Sequence, residues 1–214
     1  MSGRCIIIQG PITKDQIIRH KKLWDGEKII FSTWENTPYE WFEPSDEVIL
    51  NKIPEDKGTT NLNLQKITTQ MGCMRAKELG YDFVIKWRND MFPTAKNVFL
   101  TLFDEFAFNI YTWVCANGYN YISDFFYGGS PTDIYELFEG PIYGINPEIV
   151  LSQTFFEKGF DKKKINFIKE KLTTQINDVI WESKHHWIGN CELSTYKPSG
   201  VGYCKDVVIH KIKQ

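Results

Sequence analysis

Short apolar runs alternate with longer amphipathic stretches along the first half of the chain. Each apolar run is too brief for a helix and ends in turn or polar residues, which predicts a buried strand. The amphipathic stretches are apolar on one side of a helical wheel, which predicts helices with one buried face. The predicted strands are residues 4–9, 28–32, 46–50 and 82–87, and the predicted helices are 13–24 and 61–79. This alternation is typical of one α/β domain with a mostly parallel central sheet flanked by helices.

Two features mark the ends of the helix predicted over 61–79. Thr59 or Thr60 can supply the oxygen of an N-cap, and Gly80 stands where a left-handed C-cap residue is needed.

The hydrophobic pattern after residue 93 mixes helical and strand periodicity. It predicts helices over 95–106, 132–139 and 161–187 and from Pro147 onward, strands over 108–114 and 205–209, and a turn over 128–131.

Composition limits the possible partners. The 214 residues are 42% hydrophobic and carry a net charge of −2, which suits one folded domain and gives no basic patch for nucleic acid. No segment has the ~20 apolar residues of a membrane span. Five cysteines without CxxC spacing indicate reduced thiols. We expect a soluble, cytoplasmic protein, and one domain of a larger protein is also compatible with the sequence.

Candidate ligand contacts follow the first predicted strand. Gln9, Gly10 and Pro11 form a sharp turn before a helix. Glycine at such a turn lets the backbone approach a nucleotide closely. An ordinary turn between a strand and a helix is the competing interpretation.

The strand over 82–87 ends in a charged cluster. Lys86, Arg88, Asn89 and Asp90 stand where an open α/β sheet binds ligands, at the carboxyl end of a strand. One carboxylate among cations can hold a divalent ion over a diphosphate, because Mg²⁺ and Mn²⁺ often take only one or two carboxylates. The alternative is a surface ion pair between Arg88 and Asp90.

Other polar residues near the predicted strand ends are weaker candidates. Thr33 and Trp34 follow the second strand and could contact a uracil ring or ribose, although Trp34 could equally lie in the core. Asn61, Asn63 and Gln65 start the long helix, where amides can read a base or a sugar or simply cap the helix.

A carboxylate among aromatic residues stands out in the second half. Ser123 and Asp124 lie in the segment YISDFFYGG. Burying Asp124 there would be costly unless it is paired or used in chemistry. As a general base it would take the proton from an attacking hydroxyl, and the alternative is a cap of a turn beside Ser123.

Four segments, in this order, resemble the WavE-type glycosyltransferases, which are associated with lipopolysaccharide synthesis. Similar chains occur in large DNA viruses that glycosylate their own capsids, and for a viral protein the resemblance implies the host cytoplasm as its location. The segments are IIIQGPI (6–12), FSTWE (31–35), NLNLQ with KWRND (61–65 and 86–90) and SDFFYGG (123–129). They cover roughly the first two thirds of the chain.

The resemblance implies a GT-A fold, a Rossmann-like nucleotide-sugar domain whose DxD loop binds metal and diphosphate. Here the first carboxylate of that loop is Arg88, so Asp90 alone carries over as a ligand for Mn²⁺ or Mg²⁺ and Arg88 is expected to contact a phosphate. The family also suggests His210 as a second metal ligand, since a C-terminal histidine completes the metal site in several such enzymes. His210 could instead be a surface residue, and His185 and His186 are its rivals, with a helix-end role favoured for both.

The resemblance and the residues together predict a glycosyltransferase. It would move a sugar from a nucleoside-diphosphate sugar, with UDP-sugar as the expected donor, to a hydroxyl of a carbohydrate or glycoprotein acceptor. A capsid glycan or a cell-surface polysaccharide is the expected product. Residues 1–93 would form the donor half and 94–214 the acceptor half. The rivals are a nucleotidyltransferase, for which QGPITK has too little glycine, and a non-catalytic carbohydrate-binding module, suggested by seven tryptophans.

Overall fold

A mixed sheet forms the centre of the fold in the computed structural model. The structure describes residues 3–93, 100, 103–114, 120–140, 147–160, 163–168, 173–176 and 179–182. The strands are β1 Gly3–Gln9, β2 Ile29–Trp34, β3 Glu47–Asn51, β4 Tyr81–Arg88, β5 Met91–Pro93, β6 Phe108–Val114, β7 Asn120–Gly129, β8 Ile165–Ile168, β9 Thr173–Ile176 and β10 Val179–Glu182. The helices are α1 Lys14–Leu23, α2 Leu62–Glu78, α3 Pro131–Leu137 and α4 Pro147–Glu157, with short 3-10 turns at Tyr39–Trp41 and Thr59–Asn61.

Within these described ranges, seven strands make the main sheet in the order β3-β2-β1-β4-β7-β6-β8, and β10-β9-β5 form a second, smaller sheet. The first four strands of the main sheet run parallel, and β7 is antiparallel to both of its neighbours. The expected α/β architecture with a mostly parallel sheet is confirmed. Since β1 and β4 are central and covered on both faces, their sequences are nearly continuous apolar runs.

The two faces of the sheet carry separate cores. Successive residues of a strand point to opposite faces, so Ile6 and Ile8 join Trp24 and Trp87 on the face covered by α1. Ile7 points to the other face and packs in the core formed with α2, α3 and α4. Cys5 and Cys73 lie buried as free thiols in this second core.

Helix α1 confirms the predicted start at Thr13. The Thr13 side chain accepts a hydrogen bond from the backbone of Gln16 at 3.3 Å, and the Gln16 side chain accepts one from the backbone of Thr13 at 3.0 Å. This reciprocal capping box satisfies two amides that the helix leaves without partners. The left-handed conformation expected at Gly80 is also confirmed, with φ of 80°.

The N-cap predicted for α2 at Thr59 or Thr60 is wrong. The helix begins at Leu62, and Asn61 is the cap residue, in the left-handed conformation at φ 64° and without a capping bond from its side chain. The backbone amide of Asn63 is instead satisfied by the carbonyl of Lys57 at 3.1 Å. The loop before α2 therefore supplies the hydrogen-bond acceptor that a threonine hydroxyl was predicted to supply.

The long helix predicted over 161–187 is wrong. Its described parts are the strands β8, β9 and β10, and Ile176 pairs with Val179 across a two-residue connection. The same apolar residues that mark a helical stripe are mostly β-branched and fit a pleated surface better. Pairing of β8 with β6 and of β9 with β5 supplies the tertiary contacts that decide the structure.

Two further boundaries differ from the prediction. Gly128 and Gly129 extend β7 rather than forming a turn, and α3 spans Pro131–Leu137 where a helix over 132–139 was predicted. A Cβ on Gly128 would stand 2.3 Å from the ring of Phe103, so the glycine makes room for an aromatic side chain.

The end of the helix predicted over 95–106 is a turn at residues 104–107, and most of its beginning lies outside the described residues. The strand predicted over 205–209 also lies outside them.

Candidate active site

A cavity of about 690 Å³ opens at the carboxyl ends of β1 and β4. These strands end at Gln9 and Arg88, and the antiparallel β7 brings Asp124 to the same edge of the sheet. Ligands of open α/β sheets bind in this position. Of the residues predicted from the sequence, those lining the cavity are Gln9, Gly10, Pro11, Asn61, Gln65, Arg88, Asn89, Asp90 and Asp124.

Arg88 is the centre of the polar network in the cavity. Its Nε and Nη2 donate to the two carboxylate oxygens of Asp90 at 2.9 and 2.6 Å, and Nη1 donates to Asp124 at 3.2 Å. Burial alone would lower the pKa of Arg88, but the hydrogen bonds to Asp90 and the charge of Asp124 outweigh it and raise the pKa. The predicted pair of Arg88 and Asp90 exists, yet it is not a surface pair, because the side chains are only 25% and 16% exposed.

Asp124 is a buried carboxylate with several donors. The residue is 4% exposed, and its Oδ2 also accepts a hydrogen bond from Gln65 at 2.7 Å. These donors compensate for the loss of water around the charge. Asp124 lies within β7, so the alternative that it caps a turn is wrong. The side chain of its neighbour Ser123 lies outside the described set.

The loops after β1 and β4 are joined through Gly10 and Asn89. The backbone amide of Asn89 donates to the carbonyl of Gln9 at 3.1 Å, and its side-chain amide donates to the carbonyl of Pro11. Gly10 has φ of 111°, and a Cβ there would stand 2.6 Å from Oδ1 of Asn89. Thr68 of α2 donates to the side chain of Gln9 at 2.8 Å. The predicted glycine turn is therefore a close contact between two loops at the cavity.

His20, which the sequence interpretation missed, supports the second loop from α1. Its Nε2 lies 2.8 Å from the backbone carbonyl of Asn89, and its ring stacks on Phe92 with centroids 4.5 Å apart. Burial lowers the pKa of His20 to about 4, so the neutral ring donates from Nε2 to that carbonyl. Nothing in the sequence distinguishes this histidine from an ordinary residue of an amphipathic helix.

Lys86 lies beneath the cavity rather than in its lining. It is fully buried, its Nζ donates to the backbone carbonyl of Asp124, and it lies 5.6 and 5.5 Å from the rings of Tyr127 and Phe138. Burial lowers the pKa of Lys86 to about 7, against the opposing effect of the Asp124 charge. The structure thus gives Lys86 a contact with the strand that carries Asp124, and not a contact with the cavity.

Three other predicted contacts lie away from the lining. Thr33 is buried and hydrogen-bonds through its hydroxyl to that of Thr37 at 3.0 Å. Trp34 is 4% exposed and belongs to the core, as the alternative interpretation had it. Asn63 donates from its side chain to the carbonyl of Asp56 at 3.0 Å and so holds the preceding loop. His185, His186 and His210 lie outside the described residues.

Glu148 is a second residue that the sequence interpretation missed as a site residue. It lies near the start of α4 and lines the cavity. Burial raises the pKa of Glu148, and the charge of Asp124 adds to this effect. The sequence shows it only as part of a helix start after Pro147, since nothing local places it beside a strand end.

The charges of the lining fit a cation together with an anionic ligand. Among the described residues, one guanidinium, Arg88, faces the carboxylates of Asp90, Asp124 and Glu148, so the lining is net negative. No group of three or more histidine, cysteine or acidic side chains in the same set is arranged to hold a metal ion. A carboxylate has about four lone-pair sites, so Asp90 keeps acceptor capacity beyond its two bonds with Arg88. Its oxygens fit a hard divalent cation shared with ligand phosphates.

Comparison with known proteins supports the fold. No protein-family model matches the chain, and no curated protein sequence matches it. A crystal structure named a "putative nucleotide-diphospho-sugar transferase", from Desulfovibrio desulfuricans G20, superimposes with a TM-score of 0.54 at 10% identity, covering 78% of this chain and 80% of that one. The chain shares that fold. The finer resemblance to WavE-type enzymes stays a prediction, as do the viral context and the division into donor and acceptor halves.

No helix in the described part of the chain has the length and apolarity needed to cross a membrane.

Proposed function

We propose that this chain transfers a sugar from a nucleoside-diphosphate sugar to a hydroxyl of a carbohydrate acceptor. The observation that carries the proposal is the Arg88 network, which lies at the carboxyl ends of β1 and β4 in a fold shared with a nucleotide-sugar transferase. The turn of Gln9 to Pro11 and Asn89 line the same cavity, which supports a nucleotide contact there.

Charge is the main requirement of this reaction. A departing nucleoside diphosphate carries concentrated negative charge, and groups already aimed at it lower the barrier. Arg88 has the fork geometry that matches phosphate oxygens. Asp90 is the residue that would hold Mn²⁺ or Mg²⁺, with His210 as the expected second ligand. The bound ion supplies positive charge to the leaving diphosphate.

The proposal extends to the expected donor and acceptor. UDP-sugar as donor, a glycan of a capsid protein or a surface polysaccharide as product, and the WavE-type family all rest on the sequence resemblance. The carbohydrate-binding alternative is less well supported, because no aromatic residue of the described chain lines the cavity. That alternative depends on aromatic side chains that stack on a sugar ring, and none of the described residues that line the cavity is aromatic.

The test is a thermal-shift titration with UDP, GDP and CMP, each with Mn²⁺ and with chelator. Binding to the native state at 100 times the Kd adds about 2.7 kcal/mol to the free energy of unfolding. We expect one nucleotide to raise the midpoint, and chelator or Asp90→Ala to reduce the shift. Asp82→Ala, an exposed position at the other end of β4, is the control and should keep the shift. Absence of a shift with every nucleotide would sink the proposal.

A further inference from the structure

We infer that Glu148 is the general base that accepts the proton of the attacking hydroxyl, a catalytic role that the sequence assigned to Asp124. The inference rests on the proposed function and deepens it. It starts from the three carboxylates that line the cavity among the described residues: Asp90, Asp124 and Glu148.

Two of these carboxylates are already committed to Arg88. Asp90 receives two hydrogen bonds from the guanidinium, and Asp124 receives hydrogen bonds from Arg88 and from Gln65. A carboxylate oxygen that already accepts these hydrogen bonds has less capacity left to contact an acceptor hydroxyl. Asp124 is therefore suited to hold Arg88 in position for a diphosphate.

Glu148 stands outside this network. The hydrogen bond that favours its charged form comes from the backbone of Glu148 itself. The charged groups that act on it across the cavity are Asp124, which disfavours ionisation, and Arg88, which favours it. The net effect, with burial as the largest cause, is a raised pKa. A base becomes more effective as its pKa approaches the working pH.

A hydrogen-bonded chain fixes Glu148 relative to Asp124. The backbone amide of Ile122 in β7 donates to the hydroxyl of Ser152 at 3.0 Å, and this hydroxyl donates to the backbone carbonyl of Glu148 at 2.7 Å. The first turn of α4 is thereby tied to the strand that carries Asp124, two residues beyond Ile122. Such support from rigid elements is what a catalytic side chain requires.

The reaction step balances without a further reactant. The oxygen of the acceptor hydroxyl forms a bond to the anomeric carbon as its proton passes to the Glu148 carboxylate. The bond from the anomeric carbon to the phosphate oxygen breaks, and its electron pair leaves with the nucleoside diphosphate, towards Arg88. Water can replace the acceptor hydroxyl in the same step, and this gives an assay that needs no known acceptor.

The experiment measures nucleotide release from UDP-glucose, UDP-galactose, UDP-N-acetylglucosamine and GDP-mannose in water. Glu148→Gln keeps the shape of the side chain and removes the base. We expect kcat to fall by about 100-fold or more and the acidic limb of the pH profile to disappear, while the thermal shift with nucleotide stays that of wild type. Glu148→Asp should keep part of the activity and the acidic limb. Glu157→Gln, at the other end of the same helix, is the matched control.

The outcomes separate this inference from the function on which it rests. If nucleotides shift the midpoint and the wild type releases nucleotide, but Glu148→Gln retains kcat within about threefold, the inference is wrong and the proposed function stands. If Asp124→Asn loses kcat with an unchanged nucleotide shift while Glu148→Gln does not, Asp124 is the base. A wild type that releases no nucleotide from any of these donors overturns both the transferase activity and the base assignment.

Discussion

Arg88 places a positive charge at the end of β4. In the pattern that the sequence resembles, an acidic residue stands at this position. A guanidinium there pairs with both Asp90 and Asp124 and places a fixed positive charge in the cavity. Because that charge never titrates in the physiological range, the proposed phosphate contact would draw part of its positive charge from the chain itself.

Removing this guanidinium should be costly. In Arg88→Met, two largely buried carboxylates lose their partner, and breaking a buried pair costs about 3–5 kcal/mol. We expect that loss in urea denaturation, together with loss of the nucleotide shift. Arg75→Met is the control, because Arg75 is 38% exposed and pairs with Glu47 and Glu78 on the surface, where a pair is worth about 0–1 kcal/mol. Equal losses in the two variants would contradict the buried network.

Lys86 gives a pH-dependent prediction. Its pKa is about 7 in the folded protein and 10.5 for an ordinary lysine. Between these values the unfolded state binds more protons than the folded state, so the free energy of unfolding rises with pH, by at most about 1.4 kcal/mol per pH unit. Below pH 7 Lys86 is protonated in both states, so the burial of its charge lowers the free energy of unfolding by the full amount.

The comparison with Lys86→Met isolates this contribution. From about pH 7 to about 9.5, within the window between the two pKa values, the wild type should gain stability relative to the variant, as measured by urea denaturation at each pH. Lys77→Met, on the exposed side of α2, controls for removing a lysine. A difference between Lys86→Met and wild type that stays constant with pH would show that Lys86 does not lose its proton in this window.

At the scale of elements, the site depends on how closely the loops after β1 and β4 approach each other. Gly10 combines a positive φ with a contact that leaves no room for a Cβ beside Asn89. His20 holds the same loop from α1, and β5 holds its other end through the second sheet. The Arg88-Asn89-Asp90 loop is therefore positioned by the turn after β1 and by α1, which are both distant in sequence, and by β5, which follows it directly.

Gly10→Ala tests this contact against backbone strain alone. Gly26 has φ of 85°, and a Cβ added there would have no atom within 4 Å, so Gly26→Ala reports only the strain of the left-handed conformation, about 1–2 kcal/mol. We expect Gly10→Ala to cost more in thermal denaturation and also to weaken the nucleotide shift, because Asn89 must move. A Gly10→Ala protein that matches Gly26→Ala in both measurements would exclude a role for this contact.

At the scale of the molecule, two cores share one sheet. Phe31 of β2 is buried on the face covered by α1, and Phe155 of α4 is buried on the opposite face. Strands β1 and β4 contribute side chains to both cores, so neither core keeps its shape if the sheet opens.

We therefore expect one cooperative unfolding transition. Phe31→Ala and Phe155→Ala should each cost about 3–5 kcal/mol, and each should shift the same transition. Two of the seven tryptophans, Trp24 and Trp87, lie in the first core, so their contribution to the tryptophan fluorescence reports on that face, and far-UV circular dichroism reports on the whole chain. If Phe155→Ala moves the dichroism midpoint and leaves the fluorescence midpoint in place, the two cores unfold separately.

The sequence by itself determined the parallel half of the sheet and nine of the residues that line the cavity. The apolar runs that end at Gln9 and Trp87 predict buried strands, and the rule that ligands bind at their carboxyl ends brings Gly10, Asn89 and Asp90 together. Tertiary structure decided the rest. The described residues 165–168, 173–176 and 179–182 became strands because neighbouring strands offer edges for pairing. Trp34 entered the core because β2 is covered on both faces, and Glu148 reached the cavity because α4 packs on β7. The local sequence shows the hydrophobic periodicity of a helix or strand. Contacts between distant segments determine which face of the sheet, which strand edge or which cavity each residue lies against.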